Sequence, residues 1–423
     1  MNQYLEKYFL ILFSIIPLSI IIGSTVSIIN ITVIIISFLL LMLYERNWDW
    51  LFHPIIKLLF AIYLYLIFNS FISLSPEVGI YRNLGFFRFI FLFAAFNYFF
   101  HNSKNFKFVI FIWFITLLVV FGDVLLEIAV YQMDVRSGEI DTVTMFRAFS
   151  FFNNEAIVGG YLNAFYLIIV GYLFYNNKKF FFLKNNYLLI IFSFILLSLI
   201  ILTGERSNGI KALLGLLIFY FFYFDLIFNK KRLFVFFISF LLLVLALSLN
   251  ENLKYRYFSQ YYEDLRDTKN AQADGNFINE FKKRNIYFNL YKSGYKVFQN
   301  KPVFGVGNKN YRIETCDQNN LKHKYLCNTH PHQLYFEFLA EHGLVGSIIL
   351  FSILLYLLFR NIKIIYQSRN AIQIGSLCYL MCVFIPLLPS GSFFNDYNST
   401  LFWINLSILY ASNPKTNIIN VGK

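Results

Sequence analysis

Apolar residues in this chain come in continuous runs, not in alternation, and each run ends at a short cluster of charge, Asn, Gly or Pro. About 20 helical residues cross the hydrocarbon of a bilayer, whereas a barrel strand would show alternating apolar and polar positions. The runs therefore predict an all-α polytopic membrane protein. Twelve transmembrane helices are expected, near residues 8–22, 27–43, 52–74, 84–100, 106–127, 156–175, 186–203, 208–228, 232–249, 344–361, 371–389 and 400–412. Only Gly23-Ser24 is available to turn the chain between the first two. One long polar segment separates the ninth span from the tenth, which divides the chain into residues 1–249, an external loop domain at 250–343, and residues 344–423.

Composition agrees, since 58% hydrophobic and 14% charged residues are far from a soluble balance. No cleavable signal peptide is expected. Lys and Arg favour cytoplasmic loops. Arg46 and Lys57, Lys104 and Lys107, Lys178, Lys179 and Lys184, Lys230, Lys231 and Arg232, and Arg360, Lys363 and Arg369 fall on alternate connections. The opposite connections hold fewer, among them Arg82, Arg136, Arg147 and Arg206. Both termini come out cytoplasmic and the large segment external, which excludes nucleic acid as a partner. The net charge of +13 follows partly from this bias; residues 251–332 add 14 Lys or Arg against 8 Asp or Glu, a surplus that draws anionic lipid headgroups.

Within the external segment a helix is expected over residues 278–298. Ile278, Phe281, Arg284, Phe288, Tyr291, Tyr295 and Phe298 keep a three-four spacing, so Arg284 lies in the apolar stripe. It is either an interfacial Arg that snorkels or part of an anion site. Lys301-Pro302 stops the helix, and Gly305-Val306-Gly307 allows a tight turn before Tyr311 and Arg312. Cys316 and Cys327 bracket ten residues on the external side, where an oxidising compartment pairs them; a disulfide is expected. A metal site with His323, His330 and His332 is the rival, although the spacings fit no standard zinc pattern. Cys378 and Cys382, one turn apart inside a span, read as packing residues.

The candidate reactive centre is residues 316–346. Pro331 suits a first helical turn, with Thr329 or His330 as cap and His332 at the helix start. Tyr335, Phe336 and Leu339 share one face, Glu337 and Glu341 another, and Gly343 and Gly346 let the chain turn into the next span. A titratable imidazole is thereby held beside the bilayer. Two further cations stand at the same face: Arg206, in the tight turn Thr203-Gly204-Glu205-Arg206, and Arg147, in the approach to the sixth span. Each is either an interfacial anchor or a ligand.

His332-Gln333, nine residues, Gly343, two residues and Gly346 resemble the signature of the bacterial O-antigen ligase family, whose fold is shared by O-antigen polymerases. Thr203-Gly204-Glu205-Arg206 resembles that family's Thr-Gly-Ser-Arg turn, with Glu205 in place of Ser. Arg284 resembles the arginine of its external-loop helix, with Phe288 where Leu is frequent. The span layout and the turn Pro389-Ser390-Gly391-Ser392-Phe393-Phe394-Asn395 extend the resemblance over nearly the whole chain.

The resemblance implies transfer of a glycan from an undecaprenyl-pyrophosphate carrier to a sugar hydroxyl, on lipid A core or on a second lipid-linked glycan, at the periplasmic face of the bacterial inner membrane. The residues suit that chemistry. An imidazole takes a hydroxyl proton near neutral pH, which makes His332 the candidate base. Guanidinium forks match a leaving pyrophosphate, which gives Arg206 and Arg284 as catalytic candidates beside His332. Arg147, Arg312, His330 and Gln333 are candidate substrate-binding residues. The first external turn, residues 23–30, holds no carboxylate, so a metal-independent, inverting reaction without a cofactor is expected. The rival class is a transporter of lipid-linked sugars, and a non-catalytic scaffold is a third. Against transport, the polar candidates gather at one membrane face, and no matched pair of Gly/Pro-broken spans is visible.

Overall fold

The computed structural model describes residues 3–100, 103–137, 147–152, 155–175, 186–223, 229–259, 262, 285–317 and 325–419. Among them the regular structure is entirely helical. In chain order the helices are α1 Gln3–Ser14, α2 Ile16–Ile22, α3 Ser24–Glu45, α4 Pro54–Phe71, α5 Pro76–Gly85, α6 Phe87–Phe99, α7 Ser103–Ser137, α8 Val158–Tyr175, α9 Asn186–Leu202, α10 Arg206–Phe222 and α11 Lys230–Leu249. There follow α12 Glu251–Lys254, running into a π-turn at Tyr255–Ser259, then α13 Ile286–Asn300, α14 Tyr311–Cys316, α15 Leu334–Phe359, α16 Ile362–Ser368, α17 Ala371–Val383 and α18 Asp396–Ala411.

A helix lies over each of the twelve stretches expected from the apolar runs. Among the described residues seven are long and apolar enough to cross a membrane, or up to eight if α1 and α2, bent by 42°, form one span. α9 and α17 are shorter apolar helices. α10 and α18 begin with the charged residues Arg206 and Asp396. Gly23 makes the turn between the first two stretches with φ 143.

α8 is the centre of the bundle, buried almost throughout and packed by α7, α9, α10, α17 and α18. Its closest neighbour is α17. A Cβ on Gly171 would stand 2.3 Å from Ala371 O, and one on Gly375 would stand 2.0 Å from Leu167 O, so these glycines let two backbones touch. α11 lies at the rim, where Phe234, Phe237, Leu241 and Leu242 are exposed. Large apolar side chains facing outward in a row suit lipid, not water.

The segment between α11 and α15 is tied to the bundle in two ways. α13 is capped by Asn285, whose side chain accepts from Phe288 N. It presses Gly294 against Pro331 and Phe336, and Tyr291 stacks on Phe336 with ring centroids 5.3 Å apart. The helix expected over 278–298 is thus observed from Ile286 to Asn300, and residues 278–284, Arg284 included, lie outside the described residues. Next, residues 302–310 insert between α4 and α15. Asn308 N donates to Asn69 Oδ1 at 2.7 Å and Ser75 N to Asn310 Oδ1 at 2.8 Å.

The same segment explains the break in α15. Gly343 has φ 64 and ψ −166, a conformation open only to glycine, and it splits the helix as the sequence predicts. The backbone groups freed by the break find partners in residues 302–307. Leu344 N donates to Pro302 O at 2.8 Å and Val345 N to Val303 O at 3.1 Å, while Val306 N and Gly307 N donate to Ala340 O and Glu341 O at 3.0 and 2.9 Å. The Gly305-Val306-Gly307 turn is what brings the loop close enough, with positive φ at both glycines. Cys316 and Cys327 form a disulfide, and Cys378 and Cys382 are free and buried.

The start of α15 differs from the expectation. Pro331 and His332 precede the helix, because His332 takes a left-handed backbone, φ 57, that cannot continue into a helical turn. Gln333 is the cap: its backbone is extended and its Oε1 accepts from Tyr335 N and Phe336 N. Glu337 and Glu341 share one side of the helix, as their spacing implies. Both are buried, because residues 302–311 and 389–395 cover the flank they occupy.

Candidate active site

A cavity of about 1470 Å³ opens at one end of the bundle. Its wall is built from element ends: the close of α2 and start of α3, the starts of α8, α10 and α18, the close of α17, the π-turn after α12, the start of α13, and the histidine segment before α15. Helix starts predominate, and the positive ends of their dipoles favour an anion.

Two chemically distinct walls face this space. On one, the turn between α9 and α10 carries Glu205 and Arg206, joined by Arg147, Arg256 and Lys211. Arg256 was not singled out by its sequence position, yet it is almost fully buried. Its Nε donates to Gly204 O at 2.8 Å, and Arg206 Nη1 donates to Arg256 O at 3.1 Å, so the π-turn and the 203–206 turn lock each other. Burial, with the charges of Arg147 and Arg206 close by, pulls the Arg256 guanidinium down to about 10. Three guanidiniums that repel one another at a cavity surface call for an anion between them.

Glu205 is the exception on that wall. Its carboxylate accepts from Gly159 N at the start of α8 and from Asn208 Nδ2 at 2.7 Å. Burial raises it to about 7, against the lowering effect of those bonds and of Arg147. A Ser at this position would leave that helix start open. Elsewhere on the wall, Asp396 is occupied by Arg82 at 3.0 Å and by Arg88.

The other wall holds the imidazoles. The His330 and His332 rings lie 4.0 Å apart between centroids. His330 is fixed at both nitrogens, with Nδ1 3.0 Å from Thr329 Oγ1 and Nε2 3.4 Å from Ser390 O. The ring of His332 meets no hydrogen-bond partner among the described residues; its backbone oxygen accepts from Ser390 N at 2.9 Å. Burial, with His330 beside it, pushes His332 down to about 4, and Glu337 opposes this. Burial and the Lys309 charge bring His330 to about 4 as well. Both imidazoles are therefore neutral at pH 7, and of the two only His332 has ring nitrogens that meet no partner among the described residues. A neutral ring with an unused lone pair can accept a proton, as a weaker base than an ordinary imidazole because burial disfavours its charged form.

The other candidates divide. Arg206, Arg147, His330 and His332 all line the cavity. Arg284 lies outside the described residues, although Asn285 and Ile286 line the cavity. Arg312 is exposed on α14 and is not part of the lining. Gln333 is buried and spends its side chain on the α15 cap. His323 of the rival metal site lies outside the described residues, among which no three His, Cys, Asp or Glu side chains gather as a metal site requires.

Residues 191–351 match the family model described as O-antigen ligase. That stretch is thus similar to the O-antigen ligase family. It runs from within α9 to within α15 and carries both the Arg206–Arg256 wall and the histidine pair. Among curated proteins none matches the chain. Of the cavity wall, Arg147 and the 389–395 turn lie beyond the matched residues.

Proposed function

We propose that this protein transfers a glycan from an undecaprenyl-pyrophosphate carrier to a sugar hydroxyl, with the chemistry in this cavity at the periplasmic face of the bacterial inner membrane. The observation that carries the reading is the pairing of an unoccupied, neutral His332 with the guanidiniums of Arg147, Arg206 and Arg256 around one space. The pyrophosphate sits among the arginines. His332 takes the proton of the acceptor hydroxyl as its oxygen attacks the anomeric carbon from the opposite side. The bond from that carbon to the pyrophosphate oxygen breaks, and the electron pair leaves with the pyrophosphate, whose growing charge the guanidiniums stabilise. One displacement inverts the anomeric centre. Arg284, adjacent to the cavity residue Asn285, belongs with the same anion-binding group in this reading.

Arginines take the part that a divalent metal plays in other lipid-linked transfers, as the absence of carboxylates at residues 23–30 suggests. A transporter would call for polar groups along a path through the bundle; the cationic wall and the histidines sit at one end of it. The test is a reaction of purified protein with lipid-linked glycan, offered lipid A core in one arm and a second lipid-linked glycan in the other, each with and without chelator. Transfer to one acceptor with chelator present is expected. No transfer in either arm contradicts the reading, and transfer that is lost with chelator and restored by magnesium contradicts the role of the arginines.

A further inference from the structure

We propose that Glu337 is a positioning residue for His332, acting through the 389–395 turn. The inference rests on the reading that His332 is the base. Glu337 projects from the first turn of α15 and has no exposed surface. A carboxylate so placed is costly unless its oxygens are satisfied, and an apolar residue of similar volume would serve the packing as well. Among the described residues the bonds of its carboxylate all go to one turn. Oε1 accepts from Ser392 Oγ at 2.6 Å and from Phe393 N at 3.1 Å, and Oε2 accepts from Phe393 N at 3.0 Å. Lys309 Nζ donates to the same Ser392 oxygen at 2.6 Å.

The turn held in this way also holds the histidines. Ser390, two residues before Ser392, donates its N–H to His332 O and accepts from His330 Nε2. His332 is in a left-handed backbone that a non-glycine residue keeps only where its surroundings impose it. The Ser390 contact is what supplies that constraint on the cavity side, and Gln333 supplies it on the helix side. On its far side the turn is fixed to α18, since Asn398 Nδ2 donates to Ser392 O at 2.9 Å and Ser399 Oγ to Phe393 O at 2.8 Å. Glu337 thus ties the start of α15 to the turn, closing a ring that runs from Gln333 through Glu337 and Ser392 to Ser390 and back to His332. The charged and titratable groups facing it are Lys309, Glu341 and His332.

Two readouts test this in the full-length protein. In steady-state transfer, Glu337→Ala should lower kcat about a hundredfold with the donor KM nearly unchanged, because a base displaced by about 1 Å loses that much rate. Glu337→Gln, which keeps a carbonyl oxygen for Phe393 N, should recover about tenfold of it. The second readout is the rate at which diethyl pyrocarbonate modifies His332, located by fragment mass spectrometry. Release of the turn should raise that rate several-fold in the Ala variant, less in the Gln variant, and detectably in Ser392→Ala, whose small change leaves the fold intact. Unchanged modification of His332 in all three variants, or a loss of kcat in Ala and Gln to the same level, overturns the proposal. The two failures are distinguishable: a His332→Ala enzyme with normal turnover removes the base while the modification rates still report the clamp.

Discussion

Gly343→Ala places a methyl group where the fold has no room for one, and the size of the effect can be worked out. The backbone at φ 64 and ψ −166 costs a residue with a Cβ about 1–3 kcal/mol. The added Cβ would stand 2.4 Å from both Val303 C and Val303 O and 2.5 Å from Gly305 N. These are backbone atoms, so relief requires residues 302–307 to move away from α15. That motion breaks some of the four bonds between the loop and residues 340–345, each worth about 1 kcal/mol net. With two or three of these bonds lost the sum is about 3–6 kcal/mol, a large share of ordinary domain stability. Gly122→Ala is the matched control, since a Cβ there meets nothing within 4 Å. Thermal unfolding in detergent, with hydrogen exchange followed at residues 302–310, should show a much lower midpoint and faster exchange for Gly343→Ala and little change for Gly122→Ala. Equal midpoints for the two variants would refute the argument that the loop and the helix break are a single unit.

Arg206→Lys keeps the charge but loses the bidentate fork, and should lower kcat/KM about 10- to 100-fold in a transfer assay; a wild-type value would show that Arg206 is only an anchor. Because burial holds His332 at about 4, the acid limb of kcat/KM should fall near pH 4 and not near the ordinary imidazole value of about 6.5. The same shift makes the fold lose stability as pH drops from about 6.5 through 4, since the unfolded chain binds that proton first. Reducing the Cys316–Cys327 bond should cost about 2–3 kcal/mol by freeing its short loop, seen as a lower unfolding midpoint with reductant, and non-reducing mass mapping should recover the linked peptide.

The helices were legible because each apolar run is long and bounded by polar clusters, and the break at Gly343 and the pairing of Cys316 with Cys327 were legible because residue type dictates both. The burial of the glutamates was not legible, for a physical reason. Helical spacing puts Glu337 and Glu341 on a shared side but says nothing of what covers it, and here residues 302–311 and 389–395, distant in sequence, bury it. Arg256 was passed over because it stands in a short polar stretch after α11, where a charge is ordinarily solvated; only the fold shows it bonded to Gly204 O. Gln333 looked like a ligand from its place beside His332, and its amide caps the helix instead. The local signals that pointed to the cationic wall were Arg206, pinned in a tight turn of small residues, and Arg147.

The central claim is that His332 removes the acceptor's proton while arginines hold the donor, and one variant separates the two roles. His332→Ala should lower the transfer rate by about 10²-fold or more while leaving the affinity for lipid-linked glycan within a few-fold of wild type. Both are measured on the same purified protein, by single-turnover transfer and by equilibrium binding of labelled donor. Transfer at the normal rate, or a loss of rate wholly accounted for by lost donor binding, would contradict the account.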